Sequence, residues 1–484
     1  MEYFALITFF LAFGLINIDA QSISFPEDKG ITVSNLYPMM INNELKGYYS
    51  FYTTGKVKSQ WESNLLLMDI NFKITKDATI VTDDWVSNIV FNGSHFCLTA
   101  SNAQVVQYNI YDSEGKLTGK RKVDDMKVGL VEAESYTKII PVPYQGFIRT
   151  VPLRAGEGSI EMLNNEGDVK WVINGKETMG KSRKVITEII NVFDVSDKHL
   201  LVYVYPRNSG DWSEKFIRAY DIQTGGELFE LDVKEAKDKL VHGINLESNE
   251  IIRYGAYFPQ GEPGVVGFEW GGSKHGFYLQ IYDYAGNLKF EYLNNGEDEY
   301  KSLFKNPVED GYDESSGLWI HNVLKSGSKY YMIGEMYANS PKSISNMMVI
   351  EFDTTQSKPS AYVFKKDIIK FGVKTGIMAF NFYNLAYNFK TMGLFDYWFS
   401  AQNAGHSMFS SVYANFDNSD KADKNYIVGA VALDRDGQLV NPKIVLTSKP
   451  DVIRLFPGKP GYVAVVEFFK KEKNVSLTLH KFDF

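Results

Sequence analysis

The stretch "LQIYDYAGNLKFEY", residues 279–292, alternates apolar and polar side chains, turns at an Asp-x-x-Gly corner and alternates again. A period of two marks a half-buried strand, so the segment reads as two antiparallel strands around a tight turn. Asp can bond its own backbone two residues on, and Gly takes the positive φ such a turn needs. The same phrase returns as "YNIYDSEGKLTGK" (108–120), "IRAYDIQTGGELFEL" (217–231) and "VALDRDGQLV" (431–440). Recurrence of one local unit along a chain is the mark of a repeat architecture.

Corners fall at Asp69, Asp112, Asn165, Asp221, Asp283, Asp353, Asp434 and Asp483, a spacing of roughly 60 residues. Gly115, Gly167, Gly225, Gly286 and Gly437 complete five of them, whereas Asp69 and Asp353 lack the Gly. Around each corner the order is strand, short turn, strand, variable loop, strand, corner, strand. The unit at 241–294 shows it fully: "VHGINLES", "EIIRYGAYFP", "GFYLQIYDYAG", "NLKFEYLN". Four consecutive strands repeated in this way predict an all-β fold, a β-propeller of eight four-stranded blades, with seven as the alternative count. The last unit, from "VIRLFPG" to "VSLTLHKFDF", holds only three strands, and "SISF" (22–25) offers the missing one. An open ring would leave two sheet edges unpaired, so the N-terminal strand is expected to close the eighth blade. Helical periodicity is confined to "VKEAKDKL" (233–240), read as one surface helix.

A chain of 484 residues exceeds the size of an ordinary single core. A repeat fold escapes that limit because each unit packs on the next. Residues 1–20 read as a signal peptide: "YFALITFFLAFGLI" (3–16) is apolar but too short to span a bilayer, and "NIDA" allows cleavage after Ala20. Residues 21–484 then form one propeller domain with no transmembrane span, expected to be exported: periplasmic, outer-membrane-associated or secreted. The net charge of −8 and the absence of a basic run exclude nucleic acid as a partner. Cys97, the one cysteine, lies in the strand-like "HFCLTA" and reads as inert packing.

No nucleotide-binding, metalloprotease or serine-hydrolase motif occurs, and no two of the seven histidines stand at metal-pair spacing. The expectation is therefore no catalytic residue, no metal and no cofactor. Length collects instead in loops between second and third strands: "PRNSGDWSEK" (206–215), "PQGEPGVVGFEWGGSKHG" (259–276), "ANSPKSISN" (338–346) and "ANFDNSDKADKN" (414–425). These open on the face opposite the corners, and function concentrates on loops carried by a rigid scaffold. Trp61, Trp212 and Trp270 belong to that face, with Lys274 and His275 beside Trp270. Large, stiff indoles with one donor are common anchors for sugars, peptides and proteins. "NGS" (92–94) and "NVS" (474–476) are glycan acceptors in a eukaryotic secretory pathway only.

The segment "AQSISFPEDKGITVSNLYPMMINNELKGYYSFYTTGK" (20–56), followed by "LLLMDINFKI" (65–74), resembles a family of exported Bacteroidetes proteins of unknown function. The resemblance implies a cell-envelope or secreted location and supplies no catalytic residue. Taken together, the sequence predicts an exported monomer that binds a glycan, peptide or protein through its long-loop face. The alternatives are a propeller hydrolase with carboxylates at the axis and a structural envelope component.

Overall fold

A computed structural model describes residues 22–482, except 27–30, 33–34, 42–43, 102–105, 124–138, 153–157, 180–184, 207–213, 235–238, 248–249, 259–275, 296, 305–315, 340–341, 357, 367–368, 371–385, 387–388, 403–407 and 417–424. The fold is a ring of eight antiparallel blades. Blade 1 runs from Leu36 to Thr82, blade 2 from Val86 to Val123, blade 3 from Ile139 to Asn174 and blade 4 from Val185 to Lys234. Blades 5, 6 and 7 span Lys239–Leu293, Ser316–Phe364 and Tyr397–Leu446. Blade 8 takes Val452–Pro457, Tyr462–Phe469 and Asn474–Lys481 from the C-terminus, and its outer strand is Ser22–Pro26. That strand lies antiparallel to Asn474–Lys481, with Phe25 opposite Val475 and Ser24 opposite Ser476. The predicted closure is therefore the one that forms.

Each pair of neighbouring blades shares an apolar layer, because a blade is a sheet with both faces covered. At the closing seam Phe25, Val475 and Leu477 of blade 8 pack with Leu36, Tyr48, Leu66 and Phe72 of blade 1. The seam between blades 5 and 6 is built the same way, from Leu279 and Ile281 against Met332 and Ile350. Burying each such side chain is worth about 1.5–3 kcal/mol. Such layers between successive blades explain how a ring of this length holds together.

The corners use the predicted chemistry. Asp283 Oδ1 accepts the amides of Ala285 and Asn287 at 3.0 and 2.8 Å, and Gly286 sits at φ +81°. Asp69, Asp112 and Asp434 repeat the pattern. Where Asp69 lacks a Gly, Phe72 takes φ +64°. Its ring is buried against Tyr48, with centroids 4.9 Å apart, which holds the strained backbone in place.

Three expectations are corrected. In blade 3 the corner acceptor is Asn164, whose Oδ1 takes the amides of Glu166 and Asp168, and not Asn165. Asn165 instead accepts from Asn92 at 2.8 Å, linking blades 2 and 3. The expected helix at 233–240 is absent at both ends: Val233 and Lys234 finish a strand of blade 4 and Lys239 begins one of blade 5. Strand pairing overrides the weak helical pattern at these ends; residues 235–238 lie outside the described residues. A short helix does form at Glu297–Ser302, in the connection from blade 5 to blade 6. Finally, "ANSPKSISN" is no long loop, since the strands run to Asn339 and resume at Lys342. Asp483 lies outside the described residues.

Candidate functional site

Of the five residues expected to bind, only Trp61 is described; Trp212, Trp270, Lys274 and His275 lie outside the described residues. Trp61 is not in a loop. It is the second residue of the strand Gln60–Met68, directly after the turn that opens on the long-loop face. Lys56, its cross-strand partner, places Nζ 4.1 Å from the indole centroid. Trp85, in the connection to blade 2, meets the same indole edge-on at 4.9 Å and keeps 48% of its surface exposed. The two rings and the ammonium form a polar-edged aromatic shelf at the rim of blade 1.

The opposite face carries the larger opening. A cavity of about 600 Å³ lies where the inner strands end, bounded by Ile41 of blade 1, Asn92 of blade 2, Ile139 of blade 3, Asp194 of blade 4 and Glu247 of blade 5. Blades 1 and 5 stand opposite each other in an eight-membered ring, so the cavity occupies the axis. Its wall includes a bulge at Phe193, a device that the inner strands repeat. The inner strands of blades 4, 5, 6 and 7 each slip by one residue, at Phe193, His242, His321 and Trp398. A bulge re-aims side chains and leaves backbone groups unpaired, and the next polar residue repairs the gap. Asp194 Oδ1 accepts the amide of Val195 at 2.8 Å, while its Oδ2 accepts that of Leu246 in blade 5 at 3.1 Å. Asn322 does the same for Val323 at 2.8 Å and accepts Nδ2 of Asn245 at 2.8 Å. "FDV" (193–195) and "HNV" (321–323) are the sequence trace of this stitching, and Asn245 of "INL" (244–246) donates to it from blade 5.

Carboxylates at the axis, which the hydrolase alternative requires, are present in this cavity: Asp194, Asp197 and Glu247 line the wall together with His199. Burial pushes the Asp194 carboxyl up against the two amides it accepts. Burial likewise lowers the His199 imidazole, outweighing Asp221 nearby. Tyr284 donates its hydroxyl to the Glu247 carbonyl and lies 4.3 Å, ring to ring, from His199. Among the described residues no three His, Cys, Asp or Glu side chains are placed to hold a metal ion.

A second polar cluster, missed from sequence, sits between blades 6 and 7. Glu335, His321, Lys366 and Asp396 have side chains exposed by 0, 1, 2 and 6%. Lys366 bridges Glu335 and Asp396, and His321 Nε2 lies 2.9 Å from Glu335 Oε2. Cys97 is fully buried, and burial pushes its thiol up, so it is inert as a nucleophile. Asn92 is buried too, with Nδ2 donating to Gly146 and Asn165, so the folded chain cannot present it for glycosylation. No helix among the described residues is long and apolar enough to cross a membrane.

The chain matches the model of a family of unknown function, DUF6770, over residues 1–343 and 338–483, and it belongs to that family. No curated protein matches it. Among solved structures it is similar to the β-propeller domain of Nup133 from Vanderwaltozyma polyspora, at 11% identity over 89% of this chain and 98% of that one, TM-score 0.37. It is also similar to the β-propeller domain of the Trilobed protease from Pyrococcus furiosus (8% identity, 82% and 93% coverage, TM-score 0.37). A third is the polysaccharide lyase Uly1 (8% identity, 82% and 90% coverage, TM-score 0.40).

Proposed function

We propose that this DUF6770 protein is an exported binding module that meets a glycan, peptide or protein on its long-loop face. The observation that carries this reading is the shelf of Trp61, Trp85 and Lys56, where an indole stays nearly half in water beside a second indole and a cation. Exposed aromatics beside polar groups are what sugars and peptide side chains stack on. Export is supported by spacing: the closing strand begins at Ser22, so a chain cut after Ala20 keeps everything the ring needs. The test is a glycan and peptide array probed with the native protein and with Trp85→Ala. Ligands bound by the native protein and lost by the variant support the reading; identical profiles reject the shelf as the site.

The carboxylates beside His199 favour a second reading, a hydrolase of glycans or peptides acting at the axis, since paired acid and base groups are what such reactions require. It predicts turnover of a substrate panel that falls at least tenfold in Asp197→Asn.

A further inference from the structure

We infer that a pocket where blades 7, 8 and 1 meet takes a small apolar carboxylate, an alkyl or aryl acid of about eight carbons. It opens on the corner face, away from the long-loop shelf, and does not depend on that reading.

The pocket gathers side chains from three consecutive blades. Leu45 and Ile70 come from blade 1, Phe399 and Met408 from blade 7 and Tyr462 from blade 8. All five are only half-buried, so apolar surface of the kind that packs the blade seams is left open to a ligand here. The volume is about 260 Å³. An apolar cavity of roughly 150 Å³ already accepts benzene, so a body of about eight carbons fits. Apolar walls with one or two placed polar groups are the usual form of a small-molecule site.

The charged groups decide which head such a ligand carries. Among the described lining residues they are Glu44 and Lys459. Glu44 is already paired with Lys46 at 2.6 Å. Lys459 makes no ion pair among the described residues: its Nζ donates to Asn71 Oδ1 at 3.0 Å and lies 4.6 Å from the Tyr462 ring centroid. An ammonium has three donors, so two remain. The unneutralised charge at the pocket is therefore positive, and a carboxylate complements it with charge-assisted hydrogen bonds. The turn that carries Lys459 is stiff. Pro457 and Pro460 fix φ on either side of it. The Tyr462 amide donates to the Lys459 carbonyl at 2.8 Å, and the Phe482 amide donates to the Gly461 carbonyl at 2.9 Å. A cation presented on a preformed turn has less freedom to lose when a ligand binds.

The test is calorimetric titration of the full chain with octanoate and with phenylacetate, the alkyl and aryl forms of the acid. Octanol and octylamine are the controls that remove or invert the head's charge. Saturable binding of either acid, weakened at least tenfold by Lys459→Met and abolished by Ala401→Phe, supports the site. Ala401 lines the pocket, and the added ring fills it. Unchanged melting temperatures confirm that the variants fold; if Ala401→Phe unfolds, Lys459→Met alone decides. Failure of both acids to bind at millimolar concentration, octanol or octylamine bound as tightly as octanoate, or acid binding untouched by Lys459→Met would overturn the inference.

Discussion

Asp396 donates its backbone amide to Glu335 Oε1 at 3.2 Å while the carboxylates of the same two residues clasp Lys366 between them. The contact joins the second strand of blade 6 to the start of blade 7 and buries two acids and one base, with His321 stacked on Tyr397 at 4.4 Å. The two acids part company. Burial pushes Asp396 up to about 7, against the pull of Lys366 and with the push of Glu335. Burial also opposes ionisation of Glu335, but Lys366 and His321 outweigh it and the net shift is downward. Asp396 is therefore the acid that takes a proton first.

This gives a pH prediction with a definite sign. A carboxyl whose folded pKa is raised is most favourable to folding below its unfolded pKa, and that contribution declines as pH rises through the folded value. Asn mimics the neutral acid. The stability of Asp396→Asn relative to the native protein should therefore improve between pH 5 and pH 8, by about 2 kcal/mol. Urea titrations at both pH values check it, and a difference independent of pH would contradict the assignment. Comparing variant with native cancels the opposite contributions of the lowered histidines.

Lys366 should be the costliest single loss in the cluster. Lys366→Met leaves the buried Glu335 with His321 and the amides of Asp396 and Tyr397 but without its ammonium, and breaking a buried pair in this way costs about 3–5 kcal/mol. Replacing Lys366, Glu335 and Asp396 together by apolar residues should cost less than Lys366→Met alone. Denaturant midpoints of the two variants decide between a needed ion cluster and mere packing.

The corners offer a graded test of backbone against packing. A Cβ at Gly286, φ +81°, meets nothing nearer than 3.8 Å, so Gly286→Ala should cost only the left-handed strain, about 1–2 kcal/mol. At Gly225, φ +70°, the same Cβ lies 2.8 Å from the Trp171 indole of blade 3. Gly225→Ala should cost clearly more, because the corner there is pressed on the neighbouring blade. Phe72→Gly removes strain but empties a core position, and the loss of packing, about 3–5 kcal/mol for a buried Phe, should win. Thermal unfolding of the three variants orders them.

What the sequence made legible is what is local. The corner needs an acceptor that reaches two and four residues ahead and a residue at positive φ, so Asp and Gly mark it, and eight blades with their closure follow by counting. The slip in blade 3 arose because "LNNEG" offers two adjacent acceptors. The Asp-x-x-Gly spacing, from Asn164 to Gly167, was the signal that separates them. Non-local features left no such trace. Glu335, Lys366 and Asp396 are about thirty residues apart in sequence and meet only because blades 6 and 7 pack. The inner-strand bulges depend on cross-strand register, which no single strand records. The Asp/Asn followed by Val or Leu that repairs them was visible, but its meaning required knowing which edge faced the axis. Of the binding residues named from sequence, Trp61 found partners in Lys56 and Trp85, and Trp85 was the one overlooked.

Ring closure underlies every site described, since shelf, cavity and ion cluster all lie between or across blades. Ser24 and Ser476 face each other across the closing pair, and Cys97, the one native thiol, is buried. In the double variant Ser24→Cys/Ser476→Cys, mild oxidation should form an intramolecular disulfide linking the N-terminal strand to the last one. Closing a loop of that length should raise the melting temperature, by an amount corresponding to at most about 5 kcal/mol. Two free thiols after oxidation, or a disulfide that forms only between separate chains, would contradict the closed eight-bladed ring.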